Sequence, residues 1–341
     1  MTTVTAPVSR PTLSPASWSE QLAFVLMVGV LLVAPVFLYP LFVMKVLCFA
    51  MFACAFNLLI GYGGLVSFGH ALYFGWASYV TAHLAKVGTV SLPYWLGAWH
   101  WLVIPLPPLS PELAILAGTA TAAALGLVAG ALAIRRQGIY FAMITLALAQ
   151  MMYLVAVQAK FTGGEDGIQA VPRGTMFRVF DLSNQMTMYC VVAAIFLGVF
   201  LLIYRIIHSP FGEVLKAIRE NEPRAVSLGY KTDRYKLMAF VLSATLAGVA
   251  GSTKAIVLQI ASLTDVNWPM SGEVVLMTLL GGMGTVFGPV VGAVVIIGMQ
   301  DNLAQVGQWV TVIQGGIFVI CVVLFRRGIV GEIARLLRIR L

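Results

Sequence analysis

Long apolar runs constrain the fold of this 341-residue chain more than any other feature. A run of about 18 or more apolar residues is typical of a helix that spans the hydrocarbon core of a bilayer. Charged residues make up only 10% of the chain, against about 25% in soluble domains. The sequence therefore predicts an all-α polytopic membrane protein with about 8–10 transmembrane helices. The nine apolar runs lie at residues 21–39, 41–60, 65–85, 113–134, 139–159, 186–207, 237–260, 274–299 and 310–325.

Lysine and arginine residues cluster at the ends of these runs. Seven of the 21 lie in residues 205–236, five lie in residues 326–340, and Arg135 with Arg136 forms a third cluster. Cytoplasmic loops of membrane proteins carry an excess of lysine and arginine, so all three clusters are expected in the cytoplasm. Topology thereby explains the net charge of +8, and nucleic-acid binding is not expected.

The three clusters also predict a topology. An even number of crossings must separate two cytoplasmic clusters, and the count back from Arg135 places the N-terminus in the cytoplasm together with the C-terminus. Segments 93–111 and 160–185 are then expected on the outer side, and the aromatic residues of the first predict an interfacial belt. The predicted division is a cytoplasmic N-terminal segment at 1–20, a transmembrane domain at 21–325 with a cytoplasmic loop at 208–236, and a cytoplasmic basic tail at 326–341.

Two glycine-rich segments interrupt the apolar runs. Three runs lie between the second and third basic clusters along the chain, and this odd number means that one run is not a single crossing. The run at 274–299 contains LGGMGTVFGPVVG, whose glycines and proline favour a discontinuous hairpin, either re-entrant or two short crossings. A second glycine cluster, GYGGLVSFGHALYFG, occupies residues 61–75. We expect the two breaks to meet near mid-membrane on a translocation path, with Gly281, Gly282 and Gly284 at that point.

Polar residues beside the first break are candidates for the same path. Asn57, Ser67 and His70 all fall at membrane depth, where polar side chains are costly and are functional hypotheses by default. Hydrogen bonding between packed helices explains the same residues equally well, so both interpretations stay open. Lys254 lies near the end of a run and is expected to extend its ammonium group to the membrane interface.

Motifs of covalent chemistry are absent from the sequence. It contains no G-x-x-x-x-G-K-[ST] P-loop, no H-E-x-x-H, no C-x-x-C and no G-x-S-x-G. Ser67 and His70 are the nearest nucleophilic pair, but a hydrolase also needs an oriented base and an oxyanion hole. We therefore predict a transport protein, not an enzyme, with no cofactor and no metal site. A stand-alone secondary transporter, with a coupling ion on residues such as His70 and Glu273, is an alternative.

The basic loop SPFGEVLKAIRENEPRAVSLGYKTDRYK has the pattern of two short helices. Ser209 or Pro210 begins the first helix, Pro223 ends it, and Gly229 closes the second. The apolar face predicted for the first helix consists of Val214, Leu215, Ala217 and Ile218. Such helices either lie in the lipid headgroups or form a docking surface for a soluble partner, and we favour docking.

This loop and three other segments resemble one transporter family. SPFGEVLKAIRENEPRAVSLGY followed by YKLMAFVLSATLAGVAG is similar to the coupling region of LivM-type permease subunits of ABC importers for branched-chain amino acids. LVSFGHALYFG, GIYFAMITLALAQ with FTGGEDGI, and LGGMGTVFGPVVGA resemble the early, central and late motifs of that family, in the same order. Of the importer signature E-A-A-x-x-x-G only Ala225 and Gly229 match, because Pro223 and Arg224 occupy the first two positions.

The resemblance implies an ABC importer permease fold in a bacterial inner membrane. It also implies four other components: a second, LivH-like permease subunit, two cytoplasmic ATPase subunits and a periplasmic binding protein. The implied substrates are branched-chain or related hydrophobic amino acids, and the alternatives are urea, short amides or aromatic acids. The residues expected to couple the chain to the ATPase are Glu213, Arg219, Glu222, Ala225 and Gly229.

Overall fold

A computed structural model describes most of the transmembrane part of the chain. Most of segment 93–111, most of the run at 310–325, and residues 1–17 lie outside the described residues, and with them the predicted aromatic belt. The described residues are 18–86, 89–91, 103–105, 108–177, 179–303, 309, 312–313, 315–316, 319 and 328–336.

The described chain is a bundle of helices, as the composition predicts. A π-helical turn at Leu58–Tyr62 continues α2, and 3-10 turns lie at Lys160–Thr162, Gly164–Asp166 and Leu263–Asp265. The helices are α1 Trp18–Phe37, α2 Pro40–Asn57, α3 His70–Lys86, α4 Pro111–Ala133, α5 Ile139–Gln158, α6 Gln185–Ile207, α7 Pro210–Glu220, α8 Glu222–Ser227, α9 Thr232–Leu258, α10 Trp268–Gly281, α11 Gly288–Asn302 and α12 Gly328–Leu336.

In the described residues, three small antiparallel sheets lie in the connections between helices. Strand β1 at Thr89–Ser91 pairs with β2 at Val103–Pro105, between α3 and α4. Strand β3 at Ile168–Gln169 pairs with β6 at Ile260–Ala261, which joins the segment after α5 to the end of α9. Strands β4 at Thr175–Met176 and β5 at Phe180–Asp181 form a hairpin before α6.

Six helices in the described residues are long and apolar enough to cross a membrane. They are α1, α2 with its π-helical turn, α4, α5, α6 and α9. Helix α3 has 17 residues, and α10 and α11 have 14 and 15, so the elements next to the predicted breaks are the short ones. The chain is therefore an all-α polytopic membrane protein with discontinuous segments.

Helices α2 and α9 form the centre of the bundle. In an 18-residue apolar stretch of α2 and its π-helical turn, 94% of the residues are buried, and in such a stretch of α9 72% are buried. In α1 only 6% are buried. Apolar side chains that face lipid cost no hydration energy in a bilayer, so this exposure is the ordinary state of a peripheral span. Helices α2 and α9 are therefore the most enclosed of the six candidate spans.

Small residues let α4 cross α3 and α9 at close range. A methyl group built on Gly118 would lie 2.2 Å from Thr81 Oγ1, and one on Gly126 would lie 2.5 Å from the Ala244 Cβ. Helices in membranes associate mainly through such van der Waals contact, because lipid offers no hydrophobic drive between them. The α3–α4–α9 group is thus packed tightly enough to act as a rigid frame.

The expectation for Lys254 is wrong. Its Nζ lies 2.5 Å from Asp265 Oδ2, and the two side chains are only 6% and 3% exposed. The 3-10 turn Leu263–Asp265 returns the carboxylate to α9, which satisfies the ammonium group inside the protein instead of at the interface. Burial of a charged group requires such a partner, and no local sequence pattern predicts the returning turn.

Candidate functional site

The two glycine-rich breaks are both present and touch one another. After Asn57 the chain passes through the π-helical turn and an irregular segment before α3 begins at His70. The second break runs from the end of α10 at Gly281 to the start of α11 at Gly288. The prediction of a discontinuous hairpin is confirmed.

Asn57 bridges the two breaks with both ends of its side-chain amide. Its Nδ2 donates to the carbonyl oxygen of Thr285 at 2.8 Å, and its Oδ1 accepts from the backbone N–H of Gly284 at 3.0 Å. Asn57 is 3% exposed, whereas Gly284 and Thr285 are partly exposed, so the two hydrogen bonds are partly buried. A buried amide that satisfies two backbone groups of a loop fixes the position of that loop.

Glycine is required at the contact itself. A methyl group on Gly61 would lie 2.3 Å from Asn57 Oδ1 and 2.8 Å from the Gly284 nitrogen. Gly284 also has a φ of +80°, in the left-handed region that other residues rarely adopt. We call this meeting of the two breaks, formed by Asn57, Gly61, Gly284 and Thr285, the break junction.

The mid-membrane depth predicted for the break junction stays a prediction. Gly61 lies at the end of the candidate span Pro40–Tyr62, about 30 Å along the helix from Pro40, and not in its middle. The spacing of glycines in the sequence located the breaks along the chain but carried no information on which turn of α2 faces them.

Helix α7 contacts the break junction directly. The Arg219 guanidinium donates a hydrogen bond to the carbonyl oxygen of Gly61. A methyl group on Gly64 would lie 3.0 Å from the Arg219 Cγ, so the stem of the same side chain packs on the irregular segment. Lys216 Nζ lies 5.9 Å from the centre of the Tyr62 ring, within range of a cation–π interaction. Two basic residues of α7 therefore hold the first break.

The local sequence explains why α7 and α8 form. Ser209 caps α7 by accepting from the Gly212 N–H at 3.4 Å, and Asn221 caps α8 by accepting from the Arg224 N–H at 3.0 Å. Gly229 follows α8 with a φ of +87°, and this confirms it as the residue that closes the second helix. Helix α7 ends at Glu220, before Pro223, because Asn221 already begins the next helix. Ala217 is exposed and does not belong to the buried face, which consists of Gly212, Leu215 and Ile218.

The predicted coupling residues fall in different environments. Glu213 is exposed and pairs with Lys216 at 2.9 Å on the same helix. Glu222 binds Lys236 of α9 at 2.5 Å and accepts from Gln137 Nε2 at 3.1 Å, so it ties α8 to its own chain. Gly229 is exposed, and a methyl group built on it would meet nothing within 4 Å.

Ala225 differs from the expectation of a close contact with a partner. It is 3% exposed and lies between α8 and the body of the chain, so its methyl group presents no free surface. The helical period of α8 turns this position inward once Asn221 and Gly229 have fixed the two ends of the helix. A role for Ala225 is therefore confined to packing of the loop on its own chain.

Ser67 and His70 have separate partners within the bundle. Ser67 Oγ accepts from the Gly69 N–H at 3.3 Å, and His70 Nε2 lies 2.9 Å from Ser243 Oγ. Ser243 Oγ in turn donates to the Ala55 carbonyl oxygen at 2.6 Å, two residues before Asn57. Both side chains are fully buried. His70 thus connects α3 through Ser243 of α9 to the end of α2, whereas Ser67 bonds within the irregular segment. A role for either residue in lining a path stays a prediction.

Helix α12 also reaches the second break, which the sequence reasoning missed. Gly328 has a φ of +74°, and a methyl group on it would lie 2.3 Å from the Gly282 Cα. Val330 is 7% exposed, so α12 is seated on the bundle. The predicted basic tail thus contains a packed helix, for which the apolar residues of GIVGEIARL were the available signal.

The comparisons with known proteins point to one transporter family. A family model described as the permease component of branched-chain amino acid transport systems matches residues 41–322. The high-affinity branched-chain amino acid transport system permease proteins LivM of Salmonella typhimurium and Escherichia coli are 26% and 25% identical to this chain over 296 residues. Each alignment covers 80% of this chain and 65% of the relative, so the chain spans slightly less than two thirds of their length.

A more distant organism provides a third relative. The probable branched-chain amino acid transport permease protein LivM of Methanocaldococcus jannaschii is 26% identical over 260 residues, which cover 69% of this chain and 72% of the relative. No solved structure matches the chain. The family model covers well over half of the sequence and includes both breaks and the α7–α8 loop. The chain therefore belongs to the family of permease components of branched-chain amino acid transport systems.

Proposed function

We propose that this chain is the transmembrane permease subunit of an ABC importer for branched-chain or related hydrophobic amino acids. The observation that carries the proposal is the contact of α7 with the break junction, through Arg219 and the Gly61 carbonyl oxygen. A subunit that makes no ATP-binding site of its own needs a mechanical input, and α7 is a surface helix attached directly to a discontinuous segment. The family and its LivM relatives support the same function.

The proposed assembly has a second, LivH-like permease subunit, two cytoplasmic ATPase subunits and a periplasmic binding protein. The chain lies in a bacterial inner membrane with both termini in the cytoplasm. Its α7–α8 loop then faces the ATPase, and the segment at 160–185 faces the binding protein. Glu213 and Gly229 are on the exposed side of the loop and are the proposed docking positions, whereas Glu222 and Ala225 hold the loop on its own chain.

The proposed coupling route runs from α7 to the two breaks. A displacement of α7 pulls on Gly61 through the Arg219 hydrogen bond, and Asn57 passes the displacement to Gly284 and Thr285. Because α10 and α11 share the second break, both short helices move with it. Elements that are held by a few hydrogen bonds between packed bodies are suited to switch between two arrangements.

The breaks are also the proposed border of the solute path. Irregular backbone at membrane depth leaves N–H and C=O groups that a zwitterionic amino acid uses as partners for its carboxylate and ammonium groups. Gly281, Gly282 and Gly284 lie in such backbone, and Met283 in the same break is 42% exposed. The N–H groups of Gly282 and Gly284 are bonded to Thr278 and Asn57, so they must be released before they can bind a solute. The Asn57 amide is already hydrogen-bonded, and Ser67 and His70 are fully buried, so these three side chains position the border.

Uptake measurements test the proposed function. Cells that lack the gene should recover uptake of radiolabelled leucine when the chain is restored with its cognate components, and unlabelled isoleucine or valine should compete. Uptake should be lost when the P-loop lysine of the ATPase subunit is replaced. Uptake that persists without ATPase activity would indicate a stand-alone transporter, and competition by urea or acetamide but not by isoleucine would indicate a different substrate class.

Gly229 is a position where bulk should block docking. A Gly229→Leu variant is expected to reduce leucine uptake by about tenfold or more, because the side chain projects from an exposed position and holds the loop away from the ATPase. Gly138→Leu is the matched control, since Gly138 also has a positive φ, +63°, with nothing within 4 Å of the added methyl group. Co-purification of the ATPase should fall only in the Gly229 variant. Equal uptake in the two variants would rule out Gly229 as a docking position.

Cysteine labelling tests the proposed orientation. In a background without the four native cysteines, single cysteines at Glu165 and at Lys216 should react with a membrane-impermeant thiol reagent from opposite sides of the membrane. Glu165 is exposed in a 3-10 turn after α5, and Lys216 is partly exposed on α7. Labelling from the periplasm is expected only at position 165. Labelling of both positions from one side would contradict the topology.

A further inference from the structure

A cavity lies where α4 ends and α9 begins. It has a volume of about 260 Å³. Its apolar wall is formed by Gly130, Ile134 and Leu237, and its charged lining is formed by Arg135, Asp233 and Arg234. The cavity is separate from the break junction, and none of its charged residues takes part in the contacts described above.

The packing of the two helices explains the cavity. A methyl group on Gly130 would lie 2.8 Å from the Phe240 ring and 2.9 Å from Leu237 Cδ1, so α4 and α9 are in close contact at that level. Helix α4 ends three residues later at Ala133, and the chain turns away toward α5. A wedge therefore opens between the end of α4 and the first turns of α9.

The wedge lies at the level of the lipid headgroups. Both helices are candidate membrane spans, and the 27 residues of α9 extend over about 40 Å, whereas the hydrocarbon core is about 30 Å thick. Arg135 follows the span of α4 by two residues, and Asp233 and Arg234 lie in the first turn of α9. The apolar wall thus faces the acyl region, and the three charged side chains face the phosphate layer.

The charged groups of the cavity have no partner in the described part of the chain. Arg135, Asp233 and Arg234 are exposed, and no hydrogen bond or ion pair joins the side chain of any of them to another described residue. Glu222 and Lys236, at the same end of the bundle, are by contrast paired with each other. Guanidinium groups bind phosphate oxygens in a bidentate manner, and a carboxylate binds an ammonium group through its N–H donors.

We propose that this cavity is a binding site for phosphatidylethanolamine. Arg135 and Arg234 bind the phosphodiester, Asp233 accepts hydrogen bonds from the ethanolamine ammonium group, and one acyl chain lies against Ile134 and Leu237. The arrangement of two positive groups and one negative group matches the zwitterionic headgroup. Phosphatidylcholine lacks the N–H donors that Asp233 needs, and phosphatidylglycerol lacks the positive charge. The site requires only that the chain spans a membrane, and it is independent of the transported solute.

Native mass spectrometry of the purified full chain, with equal amounts of the three lipids added as probes, tests the site. Phosphatidylethanolamine should be retained about fivefold more than phosphatidylcholine, and Asp233→Asn should remove this preference. The double variant R135A/R234A should lose about tenfold or more of the retained phosphatidylethanolamine. The control variant R136A/R205A removes two exposed arginines that do not line the cavity, and its lipid retention should be unchanged.

Three results would overturn the proposal. They are equal lipid retention in the two double-arginine variants, a preference for phosphatidylethanolamine that survives Asp233→Asn, and displacement of the lipid by millimolar inorganic phosphate. The last result would show a site for soluble phosphate instead of a lipid. Elution of each variant as a single symmetric peak in size-exclusion chromatography shows that the chain is folded. If the R135A/R234A variant does not fold, the conservative R135K/R234K variant replaces it, and its retention of phosphatidylethanolamine should be partial.

Discussion

Replacement of Gly292 by alanine is expected to prevent the α10–α11 hairpin from closing. A methyl group at this position would lie 1.8 Å from the Met277 carbonyl oxygen and 3.0 Å from the Gly281 nitrogen. Both neighbours are backbone atoms of α10, so no side-chain rotation relieves the overlap, and the two helices must separate. Insertion of one methylene into a packed core already costs about 1–3 kcal/mol, and separation of a hairpin costs more. We expect almost no folded protein.

Gly298→Ala is the matched control for this prediction. Gly298 lies on the same helix, and a methyl group there would meet nothing within 4 Å. The higher helix propensity of alanine should leave the control as stable as the native chain or more stable by up to about 1 kcal/mol. Fluorescence-detected size-exclusion chromatography of the detergent-solubilised chain gives the folded fraction. Equal folded fractions for the two alanine variants would show that α10 and α11 do not approach at Gly292.

The second large effect is expected at Asn57. Leucine has the same branched shape as asparagine but no hydrogen-bonding groups, so Asn57→Leu removes the bonds to Gly284 and Thr285 without a large change in volume. Each buried backbone group that is left without a partner costs about 1–3 kcal/mol. A total of about 2 kcal/mol or more lowers the equilibrium constant for contact between the two breaks by about thirtyfold or more. Leucine uptake should fall by a similar factor while the chain still inserts into the membrane.

Thr81→Val provides the control for Asn57→Leu. Thr81 is fully buried and donates one hydrogen bond to the Ala114 carbonyl oxygen at 3.1 Å, between α3 and α4 and away from the break junction. Valine is close to threonine in shape, so this variant also loses a buried hydrogen bond. Its thermal stability should fall, but uptake per folded molecule should stay within about twofold of the native value. If both variants lose uptake in proportion to their stability, the break junction has no special role in transport.

Much of the architecture was predictable because it depends on local patterns. The length of the apolar runs predicted the spans, since about 20 apolar residues are needed to cross the hydrocarbon core. The breaks were predictable because glycine and proline accumulate there and because the basic clusters left an odd number of runs. Ser209 and Gly229 marked the limits of the α7–α8 loop through ordinary helix capping, which acts over three or four residues.

The contacts that make the site depend on residues far apart in the chain. Asn57 was identified as a polar residue at membrane depth, but its partners Gly284 and Thr285 are more than 200 residues away. Lys254 was assigned to the interface because the turn that returns Asp265 to α9 has no local signature. Ala225 matched a sequence signature, but only the rotation of α8 about its axis determines that this residue faces inward. Periodicity predicts which face is apolar and not which neighbour covers it.

The measurement that tests the coupling route most directly is the number of leucine molecules imported per ATP hydrolysed. In proteoliposomes that contain the full importer, Arg219→Ala should lower this ratio by about tenfold or more, because the ATPase still turns over but α7 no longer pulls on Gly61. Glu220→Ala is the control, since Glu220 is the exposed neighbour of Arg219 on α7, and its ratio should match that of the native chain. ATPase co-purification should be unchanged in both variants. If the Arg219→Ala variant imports as many leucine molecules per ATP as the native chain, the displacement of α7 is not transmitted through the break junction.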